Sequence, residues 1–64
     1  MTIATIIFTR KTKAAAVKAL AYAVMDPITE SLNARIIKAD GIYHVVRDFA
    51  PEYDSRPSTR TIAV

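Results

Sequence analysis

The sequence predicts a small α+β domain with the element order β-α-β-β. Three observations support this fold class: an apolar β-branched run at residues 3–9, an alanine-rich run at residues 13–25, and an Asp-Gly pair between two further β-branched runs. β-Branched residues favour strands, alanine favours helices, and Asp-Gly between apolar runs indicates a hairpin. We therefore expect one helix on a three-stranded, possibly four-stranded, mainly antiparallel sheet.

The first predicted strand covers residues 3–9, where isoleucine and phenylalanine dominate and no glycine or proline interrupts the run. Successive side chains of a strand point to opposite faces, and both faces of this strand are partly apolar. One face carries Ile3 and Ile7, and the other carries Ala4, Ile6 and Phe8. We expect an inner strand, or one that a partner chain covers.

The predicted helix covers residues 13–25, in which six of the thirteen residues are alanine. An apolar stripe recurs at helical spacing through Val17, Leu20, Ala21 and Val24. The opposite side is not a polar face either, because it holds Ala14, Lys18, Tyr22 and Met25. A helix so poor in charge is expected to be buried on two sides or to offer one side to another chain.

Asp26-Pro27 is expected to end this helix and to open a second one, with Asp26 as N-cap and Pro27 in the first position. Beyond this pair the signals allow two interpretations. One is a longer second helix with an apolar stripe at helical spacing, which would end at Gly41.

The favoured interpretation has one or two helical turns in residues 27–33 and then a hairpin of residues 35–39 and 42–47. Asp40-Gly41 supplies the two positive φ values of a type I′ turn, and β-branched Ile36 and Val45 prefer strands. Across such a turn His44 would face Ile37.

The length of 64 residues allows a single small domain, which we expect to cover residues 1–49. From Ala50 onward the composition shifts to proline, serine and charged residues, with Pro51, Pro57 and Ser58 among them. Residues 50–64 are therefore predicted to form an extended or mobile C-terminal tail, in which residues 59–64 could add a short edge strand.

Association is expected because so short a chain buries only about 60% of the surface that its unfolded form exposes. The chain has no cysteine and one histidine, so no disulfide, thiolate metal site or multi-histidine metal site is expected, nor any cofactor. We expect a homodimer or a partner-bound protein, formed by pairing sheet edges or by stacking an open sheet face. Ile3, Ile7, Ile37 and Val46 are candidates to line that face.

The net charge of +3 is unevenly distributed, because residues 1–25 contain four basic residues and no acidic one. Cations at the start of a helix oppose its macrodipole unless an anion compensates them. The predicted binding residues for a phosphate or an acidic protein patch are therefore those of the strand-to-helix turn and the next helical turn, namely Arg10, Lys11, Thr12, Lys13 and Lys18. The simpler interpretation is that Thr9 or Thr12 caps the helix and the cations are solvated.

No catalytic activity is expected. His44 lies in a predicted strand without a nucleophile or carboxylate partner, and Asp48, Glu52 and Asp54 lie at the start of the predicted tail.

No apolar run reaches the 18 or so residues of a membrane span. Lys18 interrupts the apolar run before the small-x-small sequence of residues 21–23, which disfavours a secretory signal, so we expect an intracellular, cytoplasmic protein.

The order of residues 14–24, 33–37 and 41–46 resembles the first half of a SPOR peptidoglycan-binding domain, in which helix, strand, Gly-aromatic turn and strand follow one another. The second helix and last strand of that family have no counterpart predicted in residues 50–64. No function is therefore carried over from this resemblance.

The sequence is compatible with two functions. The first is a non-enzymatic small binding protein that acts by steric occupation of a larger protein's surface, as phage or mobile-element inhibitors of host factors do. Its target would carry an acidic or nucleic-acid-binding surface, toward which the cations steer the protein. The alternative is a small basic nucleic-acid-binding regulator, although its aromatic residues are scattered and only Tyr43 lies near a cation in a predicted strand.

Overall fold

The computed structural model describes residues 3–55 and 59–63 and shows an α+β fold. The elements are β1 (Ile3–Arg10), α1 (Lys13–Ala23), α2 (Pro27–Ser31), β2 (Arg35–Ala39), β3 (Ile42–Asp48), α3 (Pro51–Asp54) and β4 (Thr61–Ala63). The strands form one antiparallel sheet in the order β2-β3-β1-β4. Apart from the additional short helix α2, this order of elements is that of the ferredoxin-like split β-α-β fold.

The predicted fold class is confirmed, including the fourth strand. β1 is an inner strand, as expected, because it pairs with β3 on one side and β4 on the other. The pairing of β4 with β1 confirms the predicted edge strand for Thr61–Ala63.

Local capping and turn residues act as predicted between α1 and β3. The Asp26 carboxylate accepts a hydrogen bond from the backbone N–H of Ile28 at 3.0 Å, and Pro27 is the first residue of α2. Asp40 and Gly41 have φ values of 53° and 76°, which are the left-handed values that the two-residue hairpin requires. The hairpin is confirmed, and the longer second helix is excluded.

α1 ends at Ala23, two residues before the predicted end, and turns a different side to the sheet than its apolar pattern suggested. Its buried residues are Ala16, Ala19 and Ala23. Half of the stripe that the pattern selected lies away from the sheet, because Val17 and Ala21 are exposed, whereas Leu20 packs against the core cluster and Val24 is half-buried. Alanine brings a helix close to a sheet, so the small side chains occupy the contact and the larger ones lie at its margin or outside it.

A β-bulge in β1 changes which side chains reach the core. Ile6 pairs with Val46 and Phe8 with Val45, so Ile7 is an extra residue in the strand. Ile7 and Phe8 both pack against the cluster of Ala19, Ala23 and Val45.

The prediction that Ile7 and Val46 line an open sheet face is therefore wrong. The bulge interrupts the strict alternation of side chains and brings Ile7 into the core, and Val46 is fully buried within an inner strand. Ile3 is exposed and Ile37 is half-buried.

The described part of residues 50–64 lies against β1. α3 follows β3 directly, and beyond it the backbone N–H of Ile6 donates to the carbonyl of Arg60 at 2.9 Å, at the start of the β1–β4 pairing. The sequence predicts no counterpart in residues 50–64 for the second helix and last strand of SPOR domains, whereas the structure has a short helix and a short strand there, α3 and β4. Residues 56–58 of the predicted tail lie outside the described residues, and the domain boundary at residue 49 stays a prediction.

Candidate binding surface

The strand-to-helix turn presents the predicted cations at the surface. β1 ends at Arg10 and α1 begins at Lys13, and the side chains of Arg10, Lys11, Lys13 and Lys18 are all exposed. Within residues 3–55 and 59–63, the ion pairs join Arg35 to Asp48 and Arg47 to Asp54, so none of these four cations has an acidic partner there.

The two threonines of the turn have different roles. The Thr12 hydroxyl accepts a hydrogen bond from the backbone N–H of Ala15 at 3.2 Å, so Thr12 is the N-cap of α1. The Thr9 hydroxyl lies 3.0 Å from Nδ1 of His44 on the neighbouring strand. Thr12 was a predicted binding residue, and the structure gives its hydroxyl a capping role, whereas the surrounding cations remain available to a partner.

Arg10 folds back over its own strand. One terminal nitrogen donates a hydrogen bond to the Thr9 carbonyl at 2.8 Å, and the guanidinium carbon lies 5.1 Å from the centre of the Phe8 ring. Tyr22 of α1 meets the same ring edge-on, with ring centres 6.2 Å apart and planes at 73°. Tyr22 is 71% exposed, so an aromatic surface lies beside the arginine.

A second cation–aromatic contact lies next to the first across the sheet. Arg10 is opposite Tyr43 in the β1–β3 pairing, and Lys38 is opposite Tyr43 in the β2–β3 pairing. Directly paired residues share a sheet face, so Arg10, Tyr43 and Lys38 form one row, which we call the cation–aromatic row. The Lys38 ammonium lies 5.6 Å from the centre of the Tyr43 ring.

Sequence reasoning missed Lys38 as a member of this surface. The Asp40-Gly41 turn fixes the register of the hairpin, and that register places Lys38 opposite Tyr43. The sequence therefore contained the information that places Lys38 beside Tyr43. Lys18, in contrast, lies on the exposed side of α1, one helical turn before Tyr22, and is not part of the row.

Several titratable groups outside this surface make structural contacts. Asp48 accepts from Arg35 at 3.0 Å, and His44 contacts Thr9 and lies opposite Ile37 as predicted. The Arg47 guanidinium beside Asp54 lowers the pKa of that carboxyl to about 2. Among the described residues, no three histidine or acidic side chains are grouped so as to hold a metal ion.

The outer side of α1 carries a second exposed surface. Val17 is 50% exposed, and Met25, in the turn that follows the helix, is 77% exposed. No helix in the described part of the chain is long and apolar enough to cross a membrane.

Comparison of the chain with protein-family models, with curated proteins and with solved structures finds no match. The resemblance to SPOR domains accordingly rests on the order of elements alone. Function must be argued from the surfaces themselves.

Proposed function

We propose that the protein is a non-enzymatic binding protein that occupies a surface of a larger protein, in the manner of phage or mobile-element inhibitors of host factors. The observation that carries this proposal is the cation–aromatic row with the neighbouring exposed ring of Tyr22. Tyrosine and arginine are among the side chains enriched at the energetic centres of protein interfaces. The row places both types together on a rigid sheet.

Charge favours an acidic target. Lys11 and Lys13 are exposed beside the row, and residues 3–25 contain no acidic residue. Such a surface increases the rate of encounter with an acidic patch or with a region that binds nucleic acid, and it disfavours basic partners. When the domain binds this region of its target in the host cytoplasm, its bulk would sterically exclude the natural ligand of the target.

A second candidate function is that of a small nucleic-acid-binding regulator. Its support is the position of Tyr43 between two cations, since single-strand binders combine basic grooves with aromatic platforms for stacked bases. The geometry favours a protein partner instead. The Lys38 ammonium lies over the Tyr43 ring and the Arg10 guanidinium over the Phe8 ring, where a base would have to stack.

The test is affinity capture from cells of the native host, followed by titration of the isolated partner against two variants. Arg10→Ala removes a member of the row, and Arg60→Ala removes an exposed arginine outside it with the same loss of net charge. We expect one dominant captured protein, whose affinity falls at least tenfold with Arg10→Ala and changes less than twofold with Arg60→Ala. Equal effects of the two variants would contradict the proposed surface.

A labelled single-stranded oligonucleotide distinguishes the second candidate. Binding that is tight at low salt, weakens steeply as salt is added and loses part of its salt slope in Arg10→Ala would support nucleic acid as the ligand. We expect only weak binding with no effect of Arg10→Ala beyond that of Arg60→Ala. Capture of nucleic acid alone from the host cells would overturn the protein-binding function.

A further inference from the structure

We infer that the protein is a homodimer in which α1 and the turn that follows it pack antiparallel against the same segment of a second copy, through Ala14, Val17 and Ala21 of the helix and Met25 of the turn. These four residues are called the outer stripe. The outer stripe lies outside the cation–aromatic row, and the two surfaces share only the neighbouring cations Lys11 and Lys13. A dimer of this kind would provide the association that the short chain predicts.

The side of α1 away from the sheet exposes apolar side chains. Ala16, Ala19 and Ala23 face the sheet and Leu20 packs at the margin of this contact, while Val17 and Met25 of the outer stripe are 50% and 77% exposed. A surface helix ordinarily turns polar side chains to water. The exposed apolar side of α1 is therefore explained by a second layer of protein.

The outer stripe is complementary to itself. In an antiparallel pair with its two-fold axis at Ala21, near the C-terminal end of α1, Val17 of each chain lies near the turn that follows α1 of the other, and this turn carries Met25. Ala14 and Ala21 are exposed and small, which allows the two helices to approach closely. Each large side chain then packs beside small ones.

The charges at the two ends of α1 select a second copy in the antiparallel direction. Lys11 and Lys13 lie at its N-terminal end, where the first turn has no acidic residue. Its last turn has no basic residue, and Asp26 and Glu30 follow it. Antiparallel pairing brings the basic end of one chain to the acidic end of the other, whereas parallel pairing brings like charges together.

The sheet edges are less suited to association. β2 forms one edge and carries Arg35 and the exposed Lys38, and charged side chains on an edge oppose pairing with another strand. β4 forms the other edge and has only three residues. The helix side is therefore favoured over the edge pairing that the sequence left open.

The first test uses engineered cysteines, because the chain has none of its own. Ala21→Cys places a thiol at the proposed two-fold axis, and Ala39→Cys places one on an exposed alanine at the end of β2. Under mild oxidation we expect Ala21→Cys to form a disulfide-linked dimer nearly completely and Ala39→Cys to remain largely monomeric. Equal crosslinking of the two variants, or none in Ala21→Cys, would overturn the interface.

The second test measures mass by sedimentation equilibrium for the wild type, Met25→Lys and Ile42→Lys. Both variants put a lysine at an exposed apolar position, but Ile42 is at the start of β3 and outside the outer stripe. We expect a wild-type dimer whose dissociation constant rises at least tenfold with Met25→Lys and less than twofold with Ile42→Lys. A wild type that stays monomeric at millimolar concentration, or a dimer that responds equally to both variants, would overturn the inference.

Discussion

The carboxylate of Asp54 accepts hydrogen bonds from both terminal nitrogens of Arg47, at 2.7 and 2.8 Å. The same carboxylate accepts from the Thr5 hydroxyl at 2.9 Å and from the backbone N–H of Ala50 at 3.0 Å. Asp54 and Thr5 are both buried, and the network joins α3 to β1 and β3. A carboxylate with this many donors holds a short helix in place that could not persist alone.

Asp54→Asn is expected to lower the free energy of unfolding by about 3 kcal/mol, because it leaves the guanidinium of Arg47 without its charge partner in a buried position. The matched control is Asp48→Asn, which breaks the more exposed pair with Arg35 and should cost less than about 1 kcal/mol. Urea denaturation at one protein concentration measures both. Similar losses for the two variants would show that the Asp54 network does not stabilise the fold specifically.

The same network predicts a loss of stability in acid. Arg47 holds the pKa of Asp54 at about 2 in the folded protein, below its ordinary value of 3.8. Because the folded-state pKa is the lower one, the stabilisation is complete above the unfolded-state pKa and is lost as the pH falls from about 4 toward 2. The loss amounts to about 2 kcal/mol. Unfolding measured across this range should show a flatter pH profile for Asp54→Asn than for the wild type, and identical profiles would contradict the assignment.

Features set by neighbouring residues could be predicted from the sequence. Asp26-Pro27 determines where α2 begins, and Asp40-Gly41 determines the hairpin, because each depends on backbone geometry within a few residues. The sequence also predicts that either Thr9 or Thr12 caps α1, because an N-cap depends on neighbouring residues. Only the structure shows that Thr12 is the cap and that Thr9 contacts His44 instead.

Features set by distant contacts could not be predicted. Asp54 was assigned to a tail because its partner Thr5 is 49 positions away in the chain. The bulge at Ile7 and the pairing of Arg10 with Tyr43 also depend on how β1 meets β3, which no local pattern fixes. The side of α1 that faces the sheet was misassigned because an alanine-rich helix has apolar residues on almost every side, so its periodicity does not select one.

The close approach of α1 to the sheet predicts that enlarging an alanine between the helix and the sheet costs much more than enlarging an exposed one. Ala16 is fully buried, so Ala16→Leu must displace the helix or the strand beneath it and should cost about 1–3 kcal/mol. Ala39 is exposed at the end of β2, outside the outer stripe, and Ala39→Leu should change the unfolding free energy by less than about 0.5 kcal/mol. Thermal denaturation followed by circular dichroism compares the two variants, and a tolerated Ala16→Leu would contradict the packing of α1.

The hairpin turn allows the effect of backbone conformation on stability to be measured separately from the effect of packing. Gly41 has a φ of 76°, and a Cβ added there meets no atom within 4 Å in the described structure, so Gly41→Ala introduces conformational strain without a steric clash. The expected cost is about 1–2 kcal/mol, the penalty of a left-handed conformation for a residue with a side chain. Asp40 has a φ of 53°, and Asp40→Asn should change stability by less than about 0.5 kcal/mol, because asparagine tolerates that conformation well. Urea denaturation tests the pair, and a Gly41→Ala variant as stable as Asp40→Asn would mean that the turn relaxes to another type in solution.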